Sequence, residues 1–136
     1  FLISANNAHA VHPNHPELAD ATNAPVMGKG IVLKHNANLS YCTDGVSGAI
    51  FRKVCEKAGA EVQTYYNRAD IPGGSTLGRI SLGKVSVLTA DIGLAQLAMH
   101  SCYETAACAD AIALEDAMSV YYGLTLKATE NGFIIQ

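Results

Sequence analysis

Charge is scarce in this chain of 136 residues: Asp, Glu, Lys and Arg make up only 15%, against 49% hydrophobic residues. That balance excludes a charge-expanded, disordered chain and predicts that much of the surface meets other protein. There is no basic run, and the formal net charge is -3, so the positive footprint of a nucleic-acid binder is missing. No apolar stretch approaches the roughly 20 residues needed to span a bilayer. Neither nucleic acid nor membrane is therefore an expected partner. The chain opens on Phe1-Leu2-Ile3 with no initiator Met and no basic leader before it. The expectation is a fragment, a processed chain or a trimmed piece, without a secretory signal. No Cys-x-x-Cys pair occurs among Cys42, Cys55, Cys102 and Cys108. They read as reduced, buried thiols of a cytoplasmic protein rather than a disulfide scaffold or a zinc knuckle. The length is that of one domain, and at this size about 65–70% of the unfolded surface is buried on folding.

What is present alternates strands with helices. Phe1 to Ser4 reads as a strand buried on both faces. Asn6 to Pro25, rich in Asn, His, Pro and Asp, reads as a long loop, of a length that is usually functional or disordered. Gly30 to Lys34 reads as a second strand. Thr43 and Asp44 can cap a helix to about Ala58, with Val46, Ile50, Val54 and Ala58 as its apolar stripe and Gly59 as its stop. Val62 to Tyr66 and Val85 to Thr89 read as further strands, and Glu104 to Ala109 as a helical turn or two. Asp110 can cap a last helix through Tyr122, with Leu114, Met118 and Tyr121 on one face. Asn131-Gly132 in the tail fits a hairpin turn. The pattern predicts an α/β fold, a mixed β-sheet flanked by helices, with chemistry in the polar loops outside the strand ends.

Four constellations stand in those loops. The first, Ser4-Ala5-Asn6-Asn7-Ala8-His9-Ala10-Val11-His12-Pro13-Asn14-His15-Pro16, spaces three histidines by three residues. Its prolines forbid a shared helical face, so a solvated loop competes with a ligand set. The second, Asn67 to Gly78, carries Gly73-Gly74-Ser75-Thr76. Its glycines permit close backbone approach to a ligand, and Ser75 or Thr76 can cap a following helix. The Gly-Lys-[Ser/Thr] ending of a phosphate-binding loop is absent. The third, Asp91-Ile92-Gly93-Leu94-Ala95-Gln96-Leu97-Ala98-Met99-His100-Ser101, ends on a lone histidine, with Asp91 as a candidate turn or helix cap. In the fourth, Lys34-His35-Asn36-Ala37-Asn38-Leu39-Ser40-Tyr41, a lysine closes a buried strand. It is either a cationic anchor in a pocket or a solvated strand end.

In this order the four motifs resemble the aspartyl aminopeptidase family, from about Leu2 to Tyr122. The resemblance implies a cytoplasmic metallopeptidase that removes one residue from a peptide N-terminus. It implies two zinc ions, for which cobalt or manganese could substitute, and a homo-oligomer when full length. His100 matches a zinc ligand. Asn6 falls where the family has an Asp that binds the other zinc, and a neutral amide is the weaker partner. Lys34 and Tyr41 match residues lining the substrate pocket. His9 lies beside the metal-bearing loop, and Gly74, Ser75 and Thr76 belong to a loop near the substrate side chain. The remaining ligands and the general-base Glu have no counterpart in residues 1–136. Residues 1–123 are thus expected to be the C-terminal portion of a catalytic domain, and residues 124–136 a tail without an assigned role. An inactive fragment serving as an assembly or binding module is the alternative, and an unrelated α/β ligand-binding domain is a third reading.

Overall fold

Local chemistry starts the first helix. In the computed structural model, which describes residues 1–136, Asp44 accepts from the Ser47 N–H while the Ser47 hydroxyl accepts from the Asp44 N–H, a reciprocal capping box. The helix so begun, α1, spans Gly45–Ala58 and ends on Gly59 at φ 69°, a left-handed position that glycine takes without a steric penalty. The other helices are α2 (Leu77–Leu82) and α3 (Cys108–Gly123), with a single 3-10 turn at Pro16–Leu18. The strands are β1 (Leu2–Ala5), β2 (Ala8–His9), β3 (Ile31–His35), β4 (Val62–Tyr66), β5 (Thr89–Gly93), β6 (Ala95–Leu97), β7 (Thr105–Ala106), β8 (Leu126–Thr129) and β9 (Gly132–Ile135).

The main sheet is mixed, in the order β1-β5-β3-β4. β1 runs parallel to β5 and β3 parallel to β4, while β3 and β5 are antiparallel. Alternation along the strands sorts side chains onto two faces. One face, with Ile31, Leu33, Ala90 and Ile92, packs on Phe51 and Cys55 of α1 and Ala117 of α3. Each fully buried Phe or Ile there contributes about 1.5–3 kcal/mol. On the opposite face Val32 packs with Tyr41, Tyr65, Ala8 and Ala95. That face also carries α2 and a second small sheet, β2-β6-β7. The fold class is therefore the expected one, a mixed sheet flanked by helices.

Two glycines set close approaches. A Cβ on Gly30 (φ 94°) would lie 2.3 Å from the Glu61 carbonyl oxygen, and one on Gly93 would lie 1.9 Å from that of Asn6. The second brings the chain after β1 directly over β5.

Several expectations are corrected. The strand expected at Val85 to Thr89 lies at Thr89–Gly93, because pairing with β1 and β3 selects that segment. Glu104 to Ala107 is not helical: Thr105–Ala106 pairs with β6 as β7, and only Cys108 and Ala109 of the expected turn are helical, as the start of α3. Val46 is 48% exposed, and the buried stripe of α1 instead adds Phe51 and Cys55. Cys102 and Cys108 are exposed, and all four thiols are free. The hairpin turn in the tail falls one residue early, at Glu130-Asn131, since Gly132 already pairs with Thr129. Asp91 caps nothing and sits in mid-strand.

Asp110 is not a cap either. The N-cap of α3 is Ala107. The Asp110 carboxylate, 1% exposed, accepts from the Gly28 and Gly30 N–H groups, both at 2.8 Å. It thus fastens the start of β3 to α3. Asp110→Ala should lower the unfolding free energy by about 1–3 kcal/mol, since it strands the buried Gly30 N–H and removes the acceptor of the part-buried Gly28 N–H. Asp110→Asn, which keeps one acceptor, should cost less. Urea denaturation midpoints of the three proteins check the order.

Candidate functional site

Five separate loops and strand ends meet above the second face of the sheet, around a cavity of about 320 Å³. Asn6 and His9 reach it from the segment after β1, Lys34 from the end of β3, and Tyr41 from the loop before α1. Gly74, Ser75 and Thr76 come from the loop before α2, and His100 from the turn after β6. Every residue singled out in the sequence for the site borders this one cavity.

Lys34 is its floor. It is 2% exposed, and its ammonium reaches the Asn7 carbonyl at 3.4 Å and lies 4.8 Å from the centre of the Tyr41 ring. Burial pulls its pKa down from 10.5 to about 8, against a smaller upward pull from Asp91. At neutral pH it is still a cation. Tyr41 and Tyr65 stand beside it with ring centres 6.1 Å apart. Burial pushes both phenols up, so both stay neutral. Thr76 contributes a hydroxyl that is buried and has no hydrogen-bond partner. Its helix position is an N-cap in backbone only, since no side-chain cap bond forms. The Gly78 N–H of that first turn goes instead to the Ser4 hydroxyl at 3.0 Å.

His100 is exposed on the cavity rim. Its backbone lies at φ 67°, a left-handed conformation uncommon for a residue with a side chain. The Glu104 carboxylate holds it there by accepting the His100 N–H at 2.6 Å. Asn6 donates from its amide nitrogen to the Ser4 hydroxyl at 3.2 Å, which leaves its amide oxygen open. Nowhere do three or more His, Cys, Asp or Glu side chains converge as a metal group. One free imidazole and one free amide oxygen on the same cavity offer one donor to each of two zinc ions, each of which usually takes four. Each makes part of one shell.

The other histidines of the first motif divide differently. The His12 and His15 rings meet at a tilt of 39° with centres 5.5 Å apart, and His15 pairs with Glu17 at 3.0 Å. They border a neighbouring cavity of about 390 Å³, as does Arg68. Arg68 is held by Asp70 at 2.7 Å and by the Glu17 carbonyl, so it does not share the Lys34 cavity. Sequence reasoning passed over Asn7, Tyr65, Gln96 and Glu104, which also line the site. The Asn7 amide donates to the Gln96 side chain and its Oδ1 accepts from the Leu94 N–H at 3.1 Å, which ties the first and third motifs together. Asn7 and Gln96 stand inside those motifs, and Tyr65 is the register partner of Lys34.

Comparison with known proteins points the same way. The family described as aminopeptidase I zinc metalloprotease (M18) matches residues 1–122. A Mycobacterium leprae protein described as a probable M18 family aminopeptidase 2 is 40% identical over 126 residues, covering 93% of this chain and 30% of its own length. The solved structure of the Ape4 and Nbr1 complex superimposes with a TM-score of 0.82 at 34% identity, over 89% of this chain and 24% of that one. The mApe1 dodecamer of S. cerevisiae gives 0.77 at 26% identity, over 89% and 26%. The chain thus spans less than a third of the length of these relatives.

The buried lysine makes stability depend on pH. Below pH 8 both the folded and the unfolded chain hold the Lys34 proton, and the full burial penalty is present. Between about 8 and 10.5 the folded state releases that proton while the unfolded state keeps it, so stability rises with pH. The penalty is on the order of 3 kcal/mol. Lys34→Met should remove this rise. Urea midpoints from pH 7 to 10.5 should climb more steeply in the native protein than in the variant, and parallel curves would refute the assignment.

Proposed function

The chain belongs to the aminopeptidase I zinc metalloprotease (M18) family, and from that premise we propose that its cavity receives the N-terminal residue of a peptide, an acidic one by preference. One observation carries this reading: the residues matched to the family's substrate pocket converge on a cavity whose floor is a buried cation. A carboxylate side chain entering it would meet the Lys34 ammonium, held between the Tyr41 ring and the Asn7 carbonyl. Gly74 and Ser75 bring backbone close to the ligand, and the unpartnered Thr76 hydroxyl can bond to it. His9 stands on the side facing the metal-bearing loop.

His100 and Asn6 would each contribute one ligand to a zinc ion. Zinc, when bound, supplies Lewis-acid polarisation of the scissile carbonyl. With two candidate ligands and no general base among these residues, hydrolysis belongs to the longer protein, with two ions per complete site. By itself the chain would then act only as an inactive part or an assembly module. The dodecameric S. cerevisiae neighbour supports a homo-oligomer as the working state. Four free thiols are compatible with the reducing cytoplasm.

Two experiments on the full-length protein test this reading. Asn6→Asp should tighten zinc, because a carboxylate offsets the ion's charge and an amide does not. Metal content after dialysis against a chelator should rise, and equal retention would remove position 6 from the metal site. Lys34→Met should depress kcat/KM on aspartyl and glutamyl substrates far more than on a leucyl one. Loss of a desolvated ion pair costs roughly 2–5 kcal/mol, or about 30-fold and upward. Proportional loss on both classes would make Lys34 architectural, and loss on neither would take it out of the pocket.

A further inference from the structure

Across the main sheet, strand register sets four polar side chains in one row on the cavity face. Ser4 of β1 is paired with Asp91 of β5, and Lys34 of β3 with Tyr65 of β4. Leu33 is opposite Ile92, so the next step along the antiparallel pair sets Lys34 opposite Asp91. Directly opposed residues share a face, with Cβ atoms about 4.5–5.5 Å apart. Asp91 is fully buried, yet the two charges do not form an ion pair; the three in the chain are elsewhere. One carboxylate oxygen of Asp91, Oδ2, accepts the Cys42 N–H, and the other has no partner. Packing fixes it there: a Cβ on Gly78 would come within 3.0 Å of both Asp91 Oδ2 and the Ser4 hydroxyl. Lys34 turns the other way, up to the Asn7 carbonyl and the Tyr41 ring.

We propose that Asp91 is a positioning residue for substrate selection. Its carboxylate lies beneath the Lys34 stem as a fixed counter-charge, and it leaves the ammonium free for the side chain of an incoming acidic residue. A contact ion pair would occupy the ammonium, whereas no anion at all would leave a buried cation without compensation. An opposite charge one strand away, bonded to a backbone N–H, avoids both. The Cys42 bond adds a second role, since Cys42 follows Tyr41 and so anchors the loop that presents the ring to Lys34. The proposal rests on the reading of the cavity as an acidic-residue pocket.

The test is kinetic, in the full-length metal-loaded enzyme, with aspartyl and asparaginyl substrates that differ in charge and hardly in shape. Asp91→Asn keeps the acceptor for Cys42 and removes the charge. The ratio of kcat/KM for aspartyl over asparaginyl substrate should fall about tenfold or more, with the asparaginyl rate changed little. In a Lys34→Met background the same substitution should leave the ratio unmoved. Equal loss on both substrates, or an equal fall of the ratio in both backgrounds, would reduce Asp91 to a structural residue and overturn the proposal. If Asp91→Asn alone is insoluble, adding Lys34→Met should restore soluble protein, and failure to do so overturns it too. A native enzyme with no aspartyl preference would defeat the acidic-pocket reading and this proposal with it. A preference abolished by Lys34→Met but untouched by Asp91→Asn would defeat only the proposal.

Discussion

A lysine ammonium leaves water only at considerable cost, and at position 34 the fold removes it almost completely. Much of the candidate site follows from that one burial. The Tyr41 ring gives the cation an aromatic face, so the loop from Asn36 to Thr43 must return over β3 before α1 can start. The Asn7 carbonyl gives it an acceptor, so the chain after β1 must pass directly across β5. Only a glycine at position 93 allows that passage. Asp91 gives it a counter-charge from the neighbouring strand. Each of these groups comes from one of the four sequence motifs, which is why the motifs meet here.

Elements whose signal is local were readable in the sequence. The Asp44 cap, the Gly59 stop and the apolar run of β3 each state their structure within a few residues, and the structure follows them. Elements chosen by pairing were not. Val85, Val87 and Leu88 make a stronger local strand than Thr-Ala-Asp-Ile-Gly, yet the latter is β5, because it alone fills the gap between β1 and β3. An aspartate in the middle of a central strand goes against propensity. Lys34 and Cys42, far away in sequence, explain it, and this is why Asp91 read as a cap. Asp110 misled for the same reason: its partners are the Gly28 and Gly30 N–H groups some 80 residues earlier.

The site itself was partly legible. Residues inside the motifs could be placed because the resemblance brought their neighbours with them. Tyr65 and Glu104 lie outside the informative stretches and reach the cavity through sheet register and through the turn at His100. The left-handed backbone at His100 could not be read from sequence at all, since it depends on the Glu104 carboxylate accepting its N–H. That bond links the backbone of the candidate ligand to a carboxylate on the cavity wall, so the turn that carries the imidazole is held by a residue with no motif of its own.

Position 6 shows how closely the two halves of the cavity are coupled. An aspartate there would place a negative charge in the same small space as Lys34. It would hold a metal ion firmly, and it would also repel an acidic substrate side chain and draw on the field of the lysine. An amide does the reverse. It would offer a metal only a neutral oxygen, the weaker partner, and would leave the cavity more positive toward an incoming carboxylate. Both residues, at positions 6 and 34, border the same cavity of about 320 Å³, so their charges would act on one ligand. If the proposed reading holds, metal retention and preference for acidic residues would be opposed at this position, with Asn6 on the side that favours a substrate carboxylate.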